Sequence, residues 1–284
     1  MKKIAVIGAG TMGNGIAHVF ALNNFSVQLI DINEDILKNS FSIISQNMDR
    51  QIRKGLLTIE DKDKSLNNIS LKSKIEDIEI DVDIIIEAIV EKRDAKILLF
   101  NKLDNLVNSN CIFASNTSAI SITELQANNR PDKFIGMHFM NPVPMMKLVE
   151  IIKGYSTSDD TFNQVYNLVL NLGKKPVQVN DYPGFISNRV LMPMINEAIF
   201  ALFEGVSSAR DIDSVMKLGM NHPMGPLELA DFIGLDVCLD IMNVLWNGFN
   251  DTKYRPCPLL KKMVSANKLG RKTGEGFYNY KGIN

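Results

Sequence analysis

The sequence predicts an α/β fold: a largely parallel sheet interrupted by one inserted helical pair, followed by an all-helical C-terminal domain. Three observations predict it. Short apolar runs alternate with helical patterns through the first two-thirds of the 284 residues, as βαβ units require. A stretch rich in Lys, Asp, Ile and Leu, from Asn33 to Asn68, breaks that rhythm. Beyond Pro183-Gly184 the apolar spacing becomes helical, punctuated by Gly205, Gly219 and Gly234. The domain boundary is placed at residue 183, dividing 1–183 from 184–284.

The strands follow in order from the apolar runs Ile4–Ile7, Val27–Ile30, Ile84–Ala88, Ile112–Ala114, Phe134–Met140, Leu148–Ile152 and Val177–Val179. The insertion reads as two helices joined near Lys54-Gly55. Between Thr161 and Leu172, one helical face collects Phe162, Val165, Val169 and Leu172, and Gly173 ends it. Ser208 with Asp211 three residues later marks a helix start.

Composition narrows the function classes. Hydrophobic residues at 45% and charged residues at 22% are ordinary for a globular chain. A formal net charge of −1 argues against general affinity for nucleic acid or an anionic membrane. The opening Met1-Lys2-Lys3 precedes an apolar run that breaks at Gly8, which reads as a strand rather than a targeting segment. No apolar stretch is long enough to span a bilayer. The three cysteines, Cys111, Cys238 and Cys257, lack metal-ligand spacing and read as reduced thiols of a cytoplasmic protein.

The first chemical motif is "VIGAGTMGNG", with Gly8, Gly10 and Gly13 directly after the first strand and opening a helix. Glycines so placed let a backbone turn tightly and approach a pyrophosphate seated on the helix N-terminus. The bland alternative is a loop that merely needs positive φ; because this Rossmann-type fingerprint, with Thr11 and Met12 inside it, follows a strand and opens a helix, it predicts dinucleotide binding. Asp31 ends the second strand, 18 residues after Gly13, where a carboxylate accepts from a ribose 2′-hydroxyl and repels a 2′-phosphate. The absence of an Arg just after Asp31 favours NAD over NADP. The plainer reading makes Asp31 the cap of the next helix, with Glu34 completing the box.

Glu91 and Lys96 follow another strand at its ligand-binding end, though alone they read as solvated charges. "FASNTSAI" places Ser115, Asn116, Thr117 and Ser118 after the next strand, while Ser121 and Glu124 already supply a cap downstream. His138 lies near the carboxyl end of an apolar strand, and Glu150 lies 12 residues on, past a turn set by Pro142 and Pro144. If the two meet, the carboxylate orients the imidazole as a base for an alcohol proton while hydride leaves. A core histidine with a satisfied hydrogen bond is the bland alternative. Arg50, Arg53 and Lys54 share one helical face, either simply solvated or an anchor for a phosphorylated substrate. His18 and His222 receive no catalytic role.

Assembled, these residues resemble the 3-hydroxyacyl-CoA dehydrogenase family, the short bacterial 3-hydroxybutyryl-CoA enzymes above all. The resemblance spans nearly the whole chain and includes "VIGAGTMGNGIA", "FASNTS", "IGMHFMNPVPMMKLVEI", "DYPGFISNRVLMPMINEA", "MKLGMNHPMGPLELADFIGLD" and "GRKTGEGFYNY". It implies interconversion of acetoacetyl-CoA and 3-hydroxybutyryl-CoA with NAD(H), in a homodimer formed through the helical domain. It also implies that residues 184–284 bind substrate as well as forming that dimer.

Individual roles follow from matching positions. His138 resembles the general acid/base and Glu150 its supporting carboxylate. Ser118 looks like the hydroxyl on the substrate oxygen and nicotinamide, and Asn188 like the amide that polarises the thioester or 3-oxo group. Asp31, Glu91, Lys96, Asn141 and Lys272 match NAD-contacting positions. Lys54, assisted by Arg50, matches the basic helix that meets coenzyme A phosphates. Three departures stand out: Ser118-Ala119 where Ser-Ser is expected, Arg50 where a lysine is common, and a segment one residue short near Gln126–Asn129. Rival readings keep the fold but change the substrate to a free hydroxy acid or sugar acid, or make the chain a non-catalytic, crystallin-like NAD-binding relative.

Overall fold

The computed structural model describes residues 1–126 and 130–282, so the stretch expected to be one residue short, near Gln126–Asn129, lies outside the described residues except for Gln126. Contacts divide the chain into two units, Met1–Asp181 and Tyr182–Asn284.

The first unit is built on an eight-stranded sheet: β1 (Lys3–Ile7), β2 (Ser26–Ile30), β3 (Ile69–Lys72), β4 (Ile84–Glu87), β5 (Ile112–Ser115), β6 (Phe134–Phe139), β7 (Leu148–Lys153) and β8 (Lys175–Asn180). Their spatial order is β3-β2-β1-β4-β5-β6-β7-β8. Pairing is parallel from β3 across to β6, antiparallel between β6 and β7, and parallel again between β7 and β8. β4 and β6 are buried at every position, as expected of strands covered on both faces. The order reverses between β1 and β4, the switch point where open α/β sheets take their ligands.

Helix α1 (Thr11–Leu22) leaves the β1 loop, and α2 (Glu34–Arg53) and α3 (Ile59–Asn67) form the predicted insertion. Asn33 caps α2 by accepting from the Asp35 and Ile36 amides, so the cap is Asn33 rather than Asp31. Thr58 and Asp61 form a reciprocal capping box on α3. Helices α4 (Arg93–Asp104), α5 (Ile122–Leu125) and α6 (Asp159–Asn171) complete this unit, and Gly173 stops the last at φ +67°. Strand β3 has no counterpart in the sequence reading: only Ile69 of its four residues is buried, so this edge strand carries little apolar signal.

The second unit is helical: α7 (Ser187–Phe203), α8 (Ala209–Gly219), α9 (Pro226–Ile233), α10 (Leu235–Phe249) and α11 (Pro258–Ser265). They pack around Ile195, Ile199, Leu227, Leu235, Met242 and Leu245. Pro193 sits inside α7, and Ser208 caps α8 by accepting from the Asp211 amide. No helix among the described residues is long and apolar enough to cross a membrane.

Candidate active site

The glycine loop fits a dinucleotide by its own geometry. Gly8 turns at φ +100°, and a methyl group on Gly13 would sit 1.7 Å from the Gly8 carbonyl oxygen. Open space surrounds Gly10, where no atom lies within 4 Å of a notional side chain. Gly10 is also the N-cap of α1, and no side chain caps that helix, which suits an anion on its N-terminus. Asp31 faces the same loop, accepting from the Ala9 amide at 2.8 Å and the Asn33 amide at 3.0 Å. A cavity of about 370 Å³ opens between this loop, α1, α2 and the 141–144 turn. Thr11 and Asn141 line it, and Met12 packs against the core below.

Strands β6 and β7 set His138 directly opposite Glu150. Paired residues on antiparallel strands point to one face, and here His138 Nδ1 lies 2.7 Å from Glu150 Oε2. Both side chains are nearly buried, at 10% and 2% exposure. The backbone of β6 is held next to His138 as well: the Phe139 amide donates to Asn116 Oδ1 at 2.9 Å. Asn116 thereby continues the β5–β6 ladder with a side chain, past its last backbone pair at Ser115 and Gly136.

The Asn-Thr-Ser turn is organised around Glu91. One carboxylate oxygen accepts from Thr117 Oγ1 at 2.5 Å, the Ser118 amide at 2.8 Å, Ser118 Oγ at 3.2 Å and the Ala119 amide at 3.3 Å. Ala119 takes part in this clamp through its backbone amide. Glu91 Oε2 lies 3.2 Å from Lys96 Nζ, and Lys96 also donates to Glu87 Oε1 at 2.5 Å. Lys96 is therefore not the solvated charge its sequence context suggests; it is 1% exposed on α4, between two carboxylates. Burial pushes the Glu87 carboxyl above its usual 4.5, and Lys96, Ser115 and the Ile89 amide offset this only in part. Burial also raises Glu91, but Lys96, Thr117 and Ser118 outweigh it and leave that carboxyl below its ordinary value.

Two polar residues here escaped the sequence reading. Glu87 looks like the end of an apolar strand, and its role emerges only from its partners. Lys174 follows α6 inconspicuously, yet its ammonium donates to the Val143 and Met146 carbonyls at 2.6 and 2.7 Å, closing the turn after β6. That turn packs on α1 where a methyl group at Gly15 would meet Val143 at 2.8 Å. Arg50 and Lys54 are exposed near the end of α2, and Arg50 and Arg53 line a second cavity. Asn188 is buried in the first turn of α7 in the second unit. Lys272, in the same unit, pairs with Asp236 at 2.5 Å.

Residues 3–182 match the family model for the 3-hydroxyacyl-CoA dehydrogenase NAD binding domain, and residues 184–280 match that of its C-terminal domain. The chain is 54% identical to a 3-hydroxybutyryl-CoA dehydrogenase of Bradyrhizobium diazoefficiens, over 99% of this chain and 96% of that one. It is 50% identical to the 3-hydroxybutyryl-CoA dehydrogenase of Clostridioides difficile, over 98% and 99%. Among solved structures, the (S)-3-hydroxybutyryl-CoA dehydrogenase of Ralstonia eutropha superposes with a TM-score of 0.95 at 47% identity, covering 99% of each chain. The chain therefore belongs to the 3-hydroxyacyl-CoA dehydrogenase family, whose cofactor is NAD.

Proposed function

We propose that this chain interconverts acetoacetyl-CoA and 3-hydroxybutyryl-CoA, with His138 carrying the proton that accompanies hydride transfer. Bound NAD(H) supplies the hydride donor or acceptor. The observation that carries the reading is the buried contact between His138 Nδ1 and Glu150 Oε2 at 2.7 Å. Nδ1–H donates its hydrogen bond to Glu150, so exchange with the substrate oxygen falls to Nε2. In reduction the imidazolium protonates the alkoxide forming at C3, and in oxidation the neutral ring takes that proton back. Glu150 holds the ring in one orientation in both directions.

Ser118 and Asn188 are assigned as donors to oxygens that gain charge, a placement worth roughly 2.7–4 kcal/mol in other enzymes. Gly8, Gly10, Thr11, Met12 and Gly13 are assigned to the NAD pyrophosphate and Asp31 to a ribose. Glu91, Lys96, Asn141 and Lys272 complete the NAD set. Arg50 and Lys54, exposed on α2, are assigned to the phosphates of coenzyme A. Residues 1–183 then serve as the dinucleotide-binding domain and 184–284 as the substrate-binding and dimerisation domain of a cytoplasmic enzyme. The second unit exposes Val190, Val206, Leu218 and Phe232 at 66%, 72%, 88% and 55%, apolar surface that a second copy would cover. Sedimentation at micromolar concentration tests the homodimer, and a monomer there refutes it.

The substrate assignment is tested by NADH oxidation with acetoacetyl-CoA against free acetoacetate. Turnover that requires the coenzyme A ester supports it, and equal turnover of the free acid overturns it.

A further inference from the structure

Glu87 has no part in the reaction proposed above, yet two chains of polar contacts run from it to a single turn. Its Oε1 receives Lys96 Nζ at 2.5 Å, and Lys96 reaches Glu91 Oε2 at 3.2 Å. The other oxygen of Glu91 accepts from Thr117 and Ser118. The second chain starts at Glu87 Oε2, which accepts from Ser115 Oγ at 2.6 Å, and Ser115 Oγ accepts from the Thr117 amide at 3.2 Å. Glu87 and Ser115 are 0% exposed and Lys96 is 1% exposed. The three residues preceding Glu87 on β4 are isoleucines, so an apolar side chain would extend this strand without the cost of burying charge. A carboxylate here, aimed at both supports of one turn, needs a reason other than packing.

We infer that Glu87 is a positioning residue: its carboxylate fixes the Lys96 ammonium and the Ser115 hydroxyl, and through them the turn that carries the Ser118 hydroxyl. The inference rests on the proposed reaction, in which Glu91 and Lys96 contact NAD and Ser118 contacts the substrate oxygen.

Glu87→Gln keeps the shape of the side chain and removes its charge. With one counter-ion left, Lys96 draws Glu91 toward itself and away from Ser118. The expected result is NADH binding weaker by about fivefold or more and kcat lower by about tenfold or more. Inhibition by free coenzyme A, which the reading assigns to α2, stays within about twofold of the parent enzyme. Ser115→Ala cuts only the second chain and shifts NADH affinity and kcat in the same direction, by about threefold. A merely structural Glu87 would lower the folded fraction and the melting temperature while leaving NADH affinity per folded site unmoved.

That outcome overturns the inference, as do parental NADH affinity and kcat in both variants. Should Glu87→Gln fail to fold, Ser115→Ala decides alone, and parental constants in it overturn the inference. His138→Ala, measured in parallel, separates the two levels. If it retains turnover, the reading of the site has failed. If it loses turnover while Glu87→Gln and Ser115→Ala match the parent, only the role of Glu87 has failed.

Discussion

Replacing Glu150 by glutamine perturbs the His138 pair while keeping its volume. The contact is 2.7 Å long and its partners are 10% and 2% exposed, so water screens it little. A hydrogen bond to a charged group contributes about 1.5–3 kcal/mol, and the amide offers no charge to a forming imidazolium. At about 1.36 kcal/mol per decade of rate, the expected loss in kcat is about 10- to 150-fold. The amide can also turn its NH2 toward Nδ1 and force the ring into the wrong tautomer, which pushes the loss to the upper end or beyond. The assay follows NADH absorbance with acetoacetyl-CoA and, in reverse, with 3-hydroxybutyryl-CoA. Because the equilibrium constant is a property of the reaction, kcat/KM must fall equally in both directions. NADH affinity should hold, since the cofactor contacts are assigned elsewhere. A Glu150→Gln enzyme within about threefold of the parent kcat would refute the argument, since even the weakest bond of this class predicts more.

Three further outcomes follow from named contacts. Burial lowers the His18 ring from its ordinary 6.5 to about 4; Gln51 opposes this, yet neither ring nitrogen reaches a hydrogen-bond partner among the described residues. Between those values the unfolded chain holds the extra proton, so stability is full above 6.5 and declines on acidification toward 4, by roughly 3 kcal/mol in all; denaturant melts of His18→Leu should lose that slope. Lys54→Ala, at an exposed cation, should raise KM for acetoacetyl-CoA by up to about fivefold, less at high salt, and leave NADH affinity unchanged. Gly13→Ala places a methyl group 1.7 Å from the Gly8 carbonyl oxygen, so titration by NADH fluorescence should show binding lost or severely weakened.

How much of this was legible in the sequence depends on the scale of the feature. The glycine loop, the helical pair on α2 and α3, and the runs behind seven of the strands announce themselves through local spacing, because each obeys a short-range rule. β3 does not, since an edge strand with one buried residue carries almost no apolar signature. Asp31 could be read as a helix cap because its neighbour Asn33 has equal capping chemistry, and only the backbone geometry assigns the cap to Asn33. Lys96 reads as solvent-facing because burial of a lysine is set by distant partners, here Glu87 on β4 as well as the nearer Glu91. The contact between His138 and Glu150 depends on antiparallel register between β6 and β7; the turn residues hinted at that register without stating it.

Proton transfer by His138 is the step on which the other assignments depend. It is tested most directly by single-turnover oxidation of NADH by acetoacetyl-CoA in His138→Ala, with NADH saturating and folding checked by its melting temperature. The rate should fall by about 10²–10⁴-fold. Turnover undiminished in that variant would contradict it.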